Sequence, residues 1–183
     1  MTIEQEIAAV RAQALCVASA DEVRDALTRM AAQIARQQLP GPVVLLCVMR
    51  GGLLAAAELL TRLELPLRLD YVQVSRYREG TRPAELNWEV LPREPLAGAS
   101  VIVVDDIFDE GCTLEAIVRY CLAQGALRVL SAVLVEKLHD RKRTAWRPDI
   151  VGLSLPDRYL FGFGMDYKGY LRNCPAIYAL PEQ

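Results

Sequence analysis

Apolar positions recur along the chain with two periods, one near 3.6 and one near 2, and the changes between them mark out the elements. Residues 3–17 form a weakly amphipathic leader that reads as helix. A second helix begins at Ala20-Asp21, with Ser19 or Asp21 as N-cap and Val23, Ala26, Leu27, Met30 and Ile34 at helical spacing. Gly41-Pro42 ends it. Val43–Val48 reads as a buried strand, stopped by Arg50-Gly51-Gly52, and Leu53–Arg62 as a helix. Leu67–Val74 is the next strand. Residues 75–96 are polar and rich in proline, which predicts an irregular segment, functional or disordered, with a short strand at Leu86–Leu91. The β-branched run Val101–Val104 is a further buried strand, followed by a helix of pattern LEAIVRYCLA that Gly125 closes. Val129–Val135 and the segment IVGLSL are strands, and Ile177–Leu180 is the last. Strands alternating with helices predict an α/β fold with a mainly parallel sheet and right-handed crossovers. The chain reads as one domain, 1–183. Its core spans about 40–150, and a small hood comes from the N-terminal segment and about 150–183.

Composition narrows the classes. With 52% hydrophobic and 24% charged residues, 183 positions suffice for one substantial core. A net charge of −2 and a pI near 5.5 give no basic field for nucleic acid. The longest apolar runs, such as VVLLCVM, are too short to span a bilayer, so no membrane partner is expected. Five scattered cysteines without a C-x-x-C pair point to a reduced, cytoplasmic setting, and the acidic start MTIEQEIAAV does not resemble a signal peptide. His139 is the only histidine, which argues against a His-rich zinc site or a Ser-His-Asp triad. A metal would instead be a hard cation on carboxylates.

The chemistry concentrates in VIVVDDIFDEGCTL, Val101–Leu114. Asp105 and Asp106 follow the strand, and Asp109, Gly111 and Thr113 stand where the helix begins. Two carboxylates that accept from vicinal hydroxyls suit a ribose. The N–H groups of residues 110–114, at a positive helix end, suit a phosphate, with the Thr113 hydroxyl donating. This stretch resembles the phosphoribosyl-pyrophosphate (PRPP) signature of the type I phosphoribosyltransferases. The chain from about Val43 to Leu180 is similar to their purine branch, the hypoxanthine-guanine enzymes in particular. The resemblance implies a Rossmann-like fold with a hood, and transfer of phosphoribosyl from PRPP to hypoxanthine or guanine with Mg²⁺. Asp105 and Asp106 would bind the ribose hydroxyls, and Glu110, Gly111, Cys112 and Thr113 the 5′-phosphate. Asp109 would be the acid/base at purine N7. Asp105 stands where the purine enzymes often have Glu. Glu110 replaces a small hydroxyl residue, and its side chain is expected to point to solvent and leave only its N–H at the phosphate.

The same resemblance assigns the remaining loops. Met49-Arg50-Gly51-Gly52 stands where the family has a pyrophosphate-binding Lys-Gly-Gly loop, commonly with a non-proline cis peptide, so Arg50 and Gly51 would bind pyrophosphate. Ser75, Arg76 and Tyr77 open a flexible loop that would close over the site and exclude water. Lys137 would donate to the 6-oxo group, with Arg141 following at matching spacing; His139 has no assigned part. Across PDIVGLSLPDRYLFGFGMDYKGYLRN, Tyr159 would stack on the base and Leu160 offer backbone groups to its edge. There Asp166 would hold Mg²⁺, and Arg172 would contact pyrophosphate. The family implies a homodimer or homotetramer. Alternatives are a xanthine- or uracil-type enzyme, or an RNA-binding regulator on the same fold. The acidic balance and the purine-type hood argue against the last. A response-regulator receiver would have no use for the D-x-G-x-T turn.

Overall fold

A computed structural model describes residues 2–76 and 86–181. In chain order the elements are α1 (Ile3–Gln13), β1 (Leu15–Ala18), α2 (Ala20–Ala35), β2 (Val43–Met49), α3 (Leu53–Leu60), β3 (Leu67–Arg76) and β4 (Leu86–Val90). They continue with β5 (Ser100–Phe108), α4 (Cys112–Ala123), β6 (Arg128–Leu138), β7 (Ile150–Pro156), β8 (Leu160–Phe161) and β9 (Ile177–Ala179). Six strands form the main sheet in the order β4-β3-β2-β5-β6-β7, parallel except for the antiparallel β4 edge. The fold is α/β with helices on both faces.

Strand periodicity explains the two layers. In β2 the odd positions Leu45 and Cys47 join a cluster with Ala55, Leu59 and the α2 face, while Val44, Leu46 and Val48 join one with Leu114, Ile117 and Cys121 of α4. The α2 stripe expected at Val23, Ala26, Leu27, Met30 and Ile34 is buried throughout. Each large side chain so covered contributes about 1.5–3 kcal/mol of transfer energy. Ser19, not Asp21, caps α2: its hydroxyl and Glu22 form a reciprocal capping box, and Asp21 pairs with Arg24 instead.

The N-terminal leader departs from the expected single helix. Helix α1 stops at Gln13, and Leu15–Ala18 forms β1, pairing antiparallel with β9 (Leu15↔Ala179). That partner lies at the other end of the chain, so local pattern could not reveal it. With β8 the order is β1-β9-β8, a small antiparallel sheet built from both terminal segments.

A second departure shapes the site. Strand β5 runs to Phe108 rather than ending at Val104, so Asp105 and Asp106 lie inside it. Strand β6 continues alongside (Asp105↔Val133, Phe108↔Glu136), whereas β2 pairs only as far as Cys47↔Val104. The last residues of β5 therefore have one bonded flank and one open flank. An open flank tolerates acids that a fully paired strand would exclude. Likewise β3 continues two residues past Val74, so Ser75 and Arg76 are strand residues, paired with Asn87 and Leu86 of β4. Tyr77 lies outside the described residues.

Candidate active site

From β2 the chain runs outward to β3 on one side, while β5, β6 and β7 follow on the other. The strand order thus reverses between β2 and β5, and at such a point the loops beyond the carboxyl ends diverge and leave a crevice. Here the crevice is a cleft of about 230 Å³ lined by Met49, Gly51, Asp105, Asp106, Asp109 and Thr113 among others. The Met49-Arg50 peptide is cis, and Arg50 is exposed at the rim. Gly51 lies against the Asp106 carboxyl so closely that a Cβ would fall 1.9 Å from Oδ2, so any side chain there would displace that acid.

Asp105 is 8% exposed, and its Oδ1 accepts the Asp106 N–H at 2.9 Å. Burial, then the adjacent Asp106 charge, push its carboxyl well above the usual range. Burial raises Asp106 too, against the opposing pull of Arg172. Two confined acids facing a cleft need hydroxyl donors or cations to complete them. Beyond them Gly111, at φ +93°, turns the chain into α4; a Cβ there would strike Thr144 and the Phe108 ring. Helix α4 then starts at Cys112-Thr113, and its first-turn N–H groups have no intrahelical acceptor.

Asp109 and Lys137 leave the ends of neighbouring strands and meet, Nζ to Oδ2 at 3.3 Å. Lys142 ties those ends together: its ammonium donates to the carbonyls of Phe108 (3.1 Å) and Lys137 (2.8 Å) and lies over the Phe108 ring. Two further residues join that the sequence reading left unassigned. His139 Nε2 lies 2.7 Å from Asp109 Oδ1, and Asp157 holds the Arg141 guanidinium through both its oxygens, at 2.6–3.2 Å. Partial burial works against the Asp109 charge, but Lys137 and the His139 contact outweigh it and lower the pKa. The only available signal for His139 was its place two residues after Lys137.

The C-terminal segment approaches this site at Gly164, where a Cβ would fall 2.1 Å from Gly51 O, and through the Arg172 charge acting on Asp106. Tyr159 is 48% exposed, with its hydroxyl donating to the Asp166 carbonyl at 3.1 Å and Tyr167 packed edge-on at 5.6 Å. Leu160 is a buried side chain in β8. Leu180 N–H donates to Tyr159 O in the β8–β9 ladder, so the alternation turns the Leu160 N–H and C=O to the open side. Arg172 pairs with Asp166 (2.6 Å) and donates to Gly164 O, while the other Asp166 oxygen accepts from Gly169 N–H. One expectation is corrected: the Glu110 side chain does not point freely to solvent. It is 18% exposed and pairs with Arg143 at 3.4 Å, because Arg143 N–H donates to Glu110 O and brings its side chain alongside.

Fold and cleft together define a type I phosphoribosyltransferase. The chain belongs to the phosphoribosyl transferase domain family, whose pattern it matches over residues 19–168. It is 29% identical over 170 residues to the hypoxanthine-guanine phosphoribosyltransferase of Staphylococcus epidermidis, covering 90% of this chain and 92% of that one. The Aquifex aeolicus hypoxanthine-guanine phosphoribosyltransferase is 28% identical over 142 residues, 77% of this chain and 79% of its own. A hypoxanthine-guanine phosphoribosyltransferase structure from Bacillus anthracis superposes with a TM-score of 0.85 at 24% identity, over 91% of this chain and 98% of that one. Among the described residues, no helix is long and apolar enough to cross a membrane.

Proposed function

We propose that the chain is a Mg²⁺-dependent hypoxanthine-guanine phosphoribosyltransferase, acting in purine salvage in the cytoplasm as a single domain. Hypoxanthine or guanine plus PRPP gives IMP or GMP plus pyrophosphate. The observation that carries this reading is the Asp109–Lys137 pair, with Asp109 in the wall of the same cleft as Asp105 and Asp106. A flat base stacked on Tyr159 would meet the outward backbone of Leu160 at its edge. The Lys137 ammonium would donate to its 6-oxo group. Asp105 and Asp106 take the ribose hydroxyls. The 110–113 turn takes the 5′-phosphate through its N–H groups, and the Glu110–Arg143 pairing reduces the charge conflict there. Arg50, Gly51 and Arg172 receive pyrophosphate, and Ser75, Arg76 and Tyr77 begin the closing loop.

In the reaction the purine nitrogen bonds to C1′ as the C1′–O bond to pyrophosphate breaks, and Asp109 takes the proton released at N7. The Asp166 carboxylate, with lone pairs left beside Arg172 and Gly169 N–H, is a hard oxygen donor that fits Mg²⁺. Bound there, the cation would neutralise charge on the leaving pyrophosphate.

The deciding experiment is nucleotide formation from hypoxanthine, guanine, xanthine, adenine and uracil with PRPP and Mg²⁺. Product from hypoxanthine or guanine is expected, and no product from any 6-oxopurine refutes the reading. Lys137→Ala should weaken hypoxanthine by about 10- to 150-fold in kcat/KM, the range for a hydrogen bond to a charged group. Adenine turnover, already poor, should fall little. Equal losses for both bases would remove Lys137 from base selection.

We also infer a homo-oligomer. Leu53, Leu69 and Tyr71 expose apolar surface around a groove of about 360 Å³ between α3 and β3, and a second copy of the chain is the occupant proposed. Met49 lines both this groove and the cleft, so pairing there would buttress the Arg50 loop. Leu69→Asp with Tyr71→Asp should convert the oligomer to monomer in light scattering. An unchanged mass would send the interface elsewhere.

A further inference from the structure

The ring of His139 is held at both nitrogens. Its side chain is 4% exposed. Nδ1 accepts the backbone N–H of Arg141 at 2.9 Å, and Nε2 lies 2.7 Å from Asp109 Oδ1. A ring nitrogen that accepts from an amide carries no proton, so the hydrogen must be on Nε2, donated to the carboxylate. Protonating Nδ1 would set two donors against each other in a buried site. The backbone contact therefore selects the Nε2–H tautomer.

The two Asp109 oxygens are accordingly held by different kinds of partner. Oδ2 meets the Lys137 ammonium, on a four-carbon stem that can swing to a base. Oδ1 meets a ring fixed through the Arg141 backbone. The Arg141 guanidinium is in turn held by Asp157 and approaches Oδ1 to 3.8 Å. We propose that His139 is the positioning residue for the proton acceptor: an Nε2–H donor that fixes Asp109 through Oδ1, leaving Oδ2 to meet the purine once Lys137 turns to the 6-oxo group. This rests on the role proposed for Asp109 above.

Charge around the pair supports that division. Lys137, Arg141 and the more distant Lys142 are cationic, and Asp157 is the acid facing His139. When Lys137 leaves Oδ2, the carboxylate loses its nearest ammonium and becomes a better base, while the His139 bond persists and keeps its plane. Asp109, His139 and Asp157 also present ligand atoms within 4.8 Å of one another, a spacing compatible with a metal. Lys137 and Arg141 already sit on those carboxylates, however, so a protonated imidazole nitrogen fits the arrangement better than a ligand nitrogen.

The test is a pH profile of kcat/KM for hypoxanthine at saturating PRPP and Mg²⁺, in wild type, His139→Phe, His139→Gln and Asp109→Asn. His139→Phe keeps the bulk and removes the donor. It should lower kcat by about 10- to 150-fold, the worth of a hydrogen bond to a charged group, and move the acid limb to higher pH. The KM for PRPP should stay as in wild type. His139→Gln retains a donor at the Nε2 position and should restore the limb and most of the turnover. If the Phe variant does not fold by circular dichroism, His139→Asn, which reaches the Arg141 N–H but not Asp109, carries the same prediction. A wild-type limb and turnover in the donor-free variant overturn the proposal, as does an equal loss in the Phe and Gln variants with an unmoved limb. Asp109→Asn separates the two levels. If it retains wild-type turnover, the proton-acceptor reading itself fails; if it is inactive while the His139 variants behave as wild type, only the part given to His139 fails.

Discussion

Asp109→Asn is expected to reduce turnover of hypoxanthine by about 10²–10⁴-fold, the usual contribution of a positioned acid/base, with PRPP affinity little changed. The substitution is nearly isosteric. Its amide oxygen can still accept from His139 Nε2, so the loop of residues 137–141 should keep its place. What disappears is a group able to take a proton, and the charge that meets Lys137 at 3.3 Å. In the free enzyme the lowered pKa keeps Asp109 ionised throughout the neutral range. A carboxylate held so acidic is a weak base until Lys137 moves to the substrate, so basicity appears only when a 6-oxopurine is present. That coupling predicts selectivity in the chemical step as well as in binding. The sign for folding follows from the same shift. The depressed pKa contributes stability above the ordinary carboxylate range, and this is lost as pH falls through the lowered value. Stopped-flow measurement of a single turnover separates the chemical step from product release, and an undiminished chemical step would remove Asp109 from proton transfer.

The division between what the chain's pattern revealed and what it hid follows sequence distance. Val101–Leu114 was legible because strand, acids, glycine and helix start are neighbours, and each signals locally. The strand lengths were not. Asp105 and Asp106 look like residues beyond a strand, since two charges normally end one. They belong to β5 because β6 continues beside them while β2 has stopped. The α2 stripe is legible in the sequence because a period of 3.6 over sixteen residues needs no distant partner. Strand β1 depends on β9, more than 150 residues on, and the local pattern of Leu15–Ala18 alone reads as helix. His139 and Asp157 were missed for the same reason: their partners Asp109 and Arg141 lie 30 and 16 residues away. Glu110 looked misplaced beside a phosphate because Arg143, its counter-charge, comes from a different loop.

Replacing Asp105 by Asn should raise the unfolding temperature of the ligand-free protein while weakening PRPP by about 10- to 150-fold, the range for hydrogen bonds to a charged group. The two effects have one cause. Asp105 is buried beside Asp106, and its carboxyl is pushed well above the ordinary range, so ionisation at neutral pH opposes the folded state. For an acid with a raised folded pKa, stability is highest at low pH. It falls as pH rises from the ordinary carboxylate range through the raised value. Wild type should therefore melt higher at mildly acid pH than at neutral pH, and Asp105→Asn should flatten that dependence. In a protein of this size each kcal/mol recovered moves the midpoint by about 2–4 °C, within reach of calorimetry. The hydroxyls of a ribose would provide the donors the carboxylate lacks, so PRPP should stabilise wild type more than the variant. An acid that burdens the empty protein and is satisfied by substrate trades stability for function, and the trade is visible only if both quantities are measured. A variant that melts lower than wild type at neutral pH would mean that the carboxylate is compensated within the protein. Unchanged PRPP affinity would mean that the ribose does not contact Asp105.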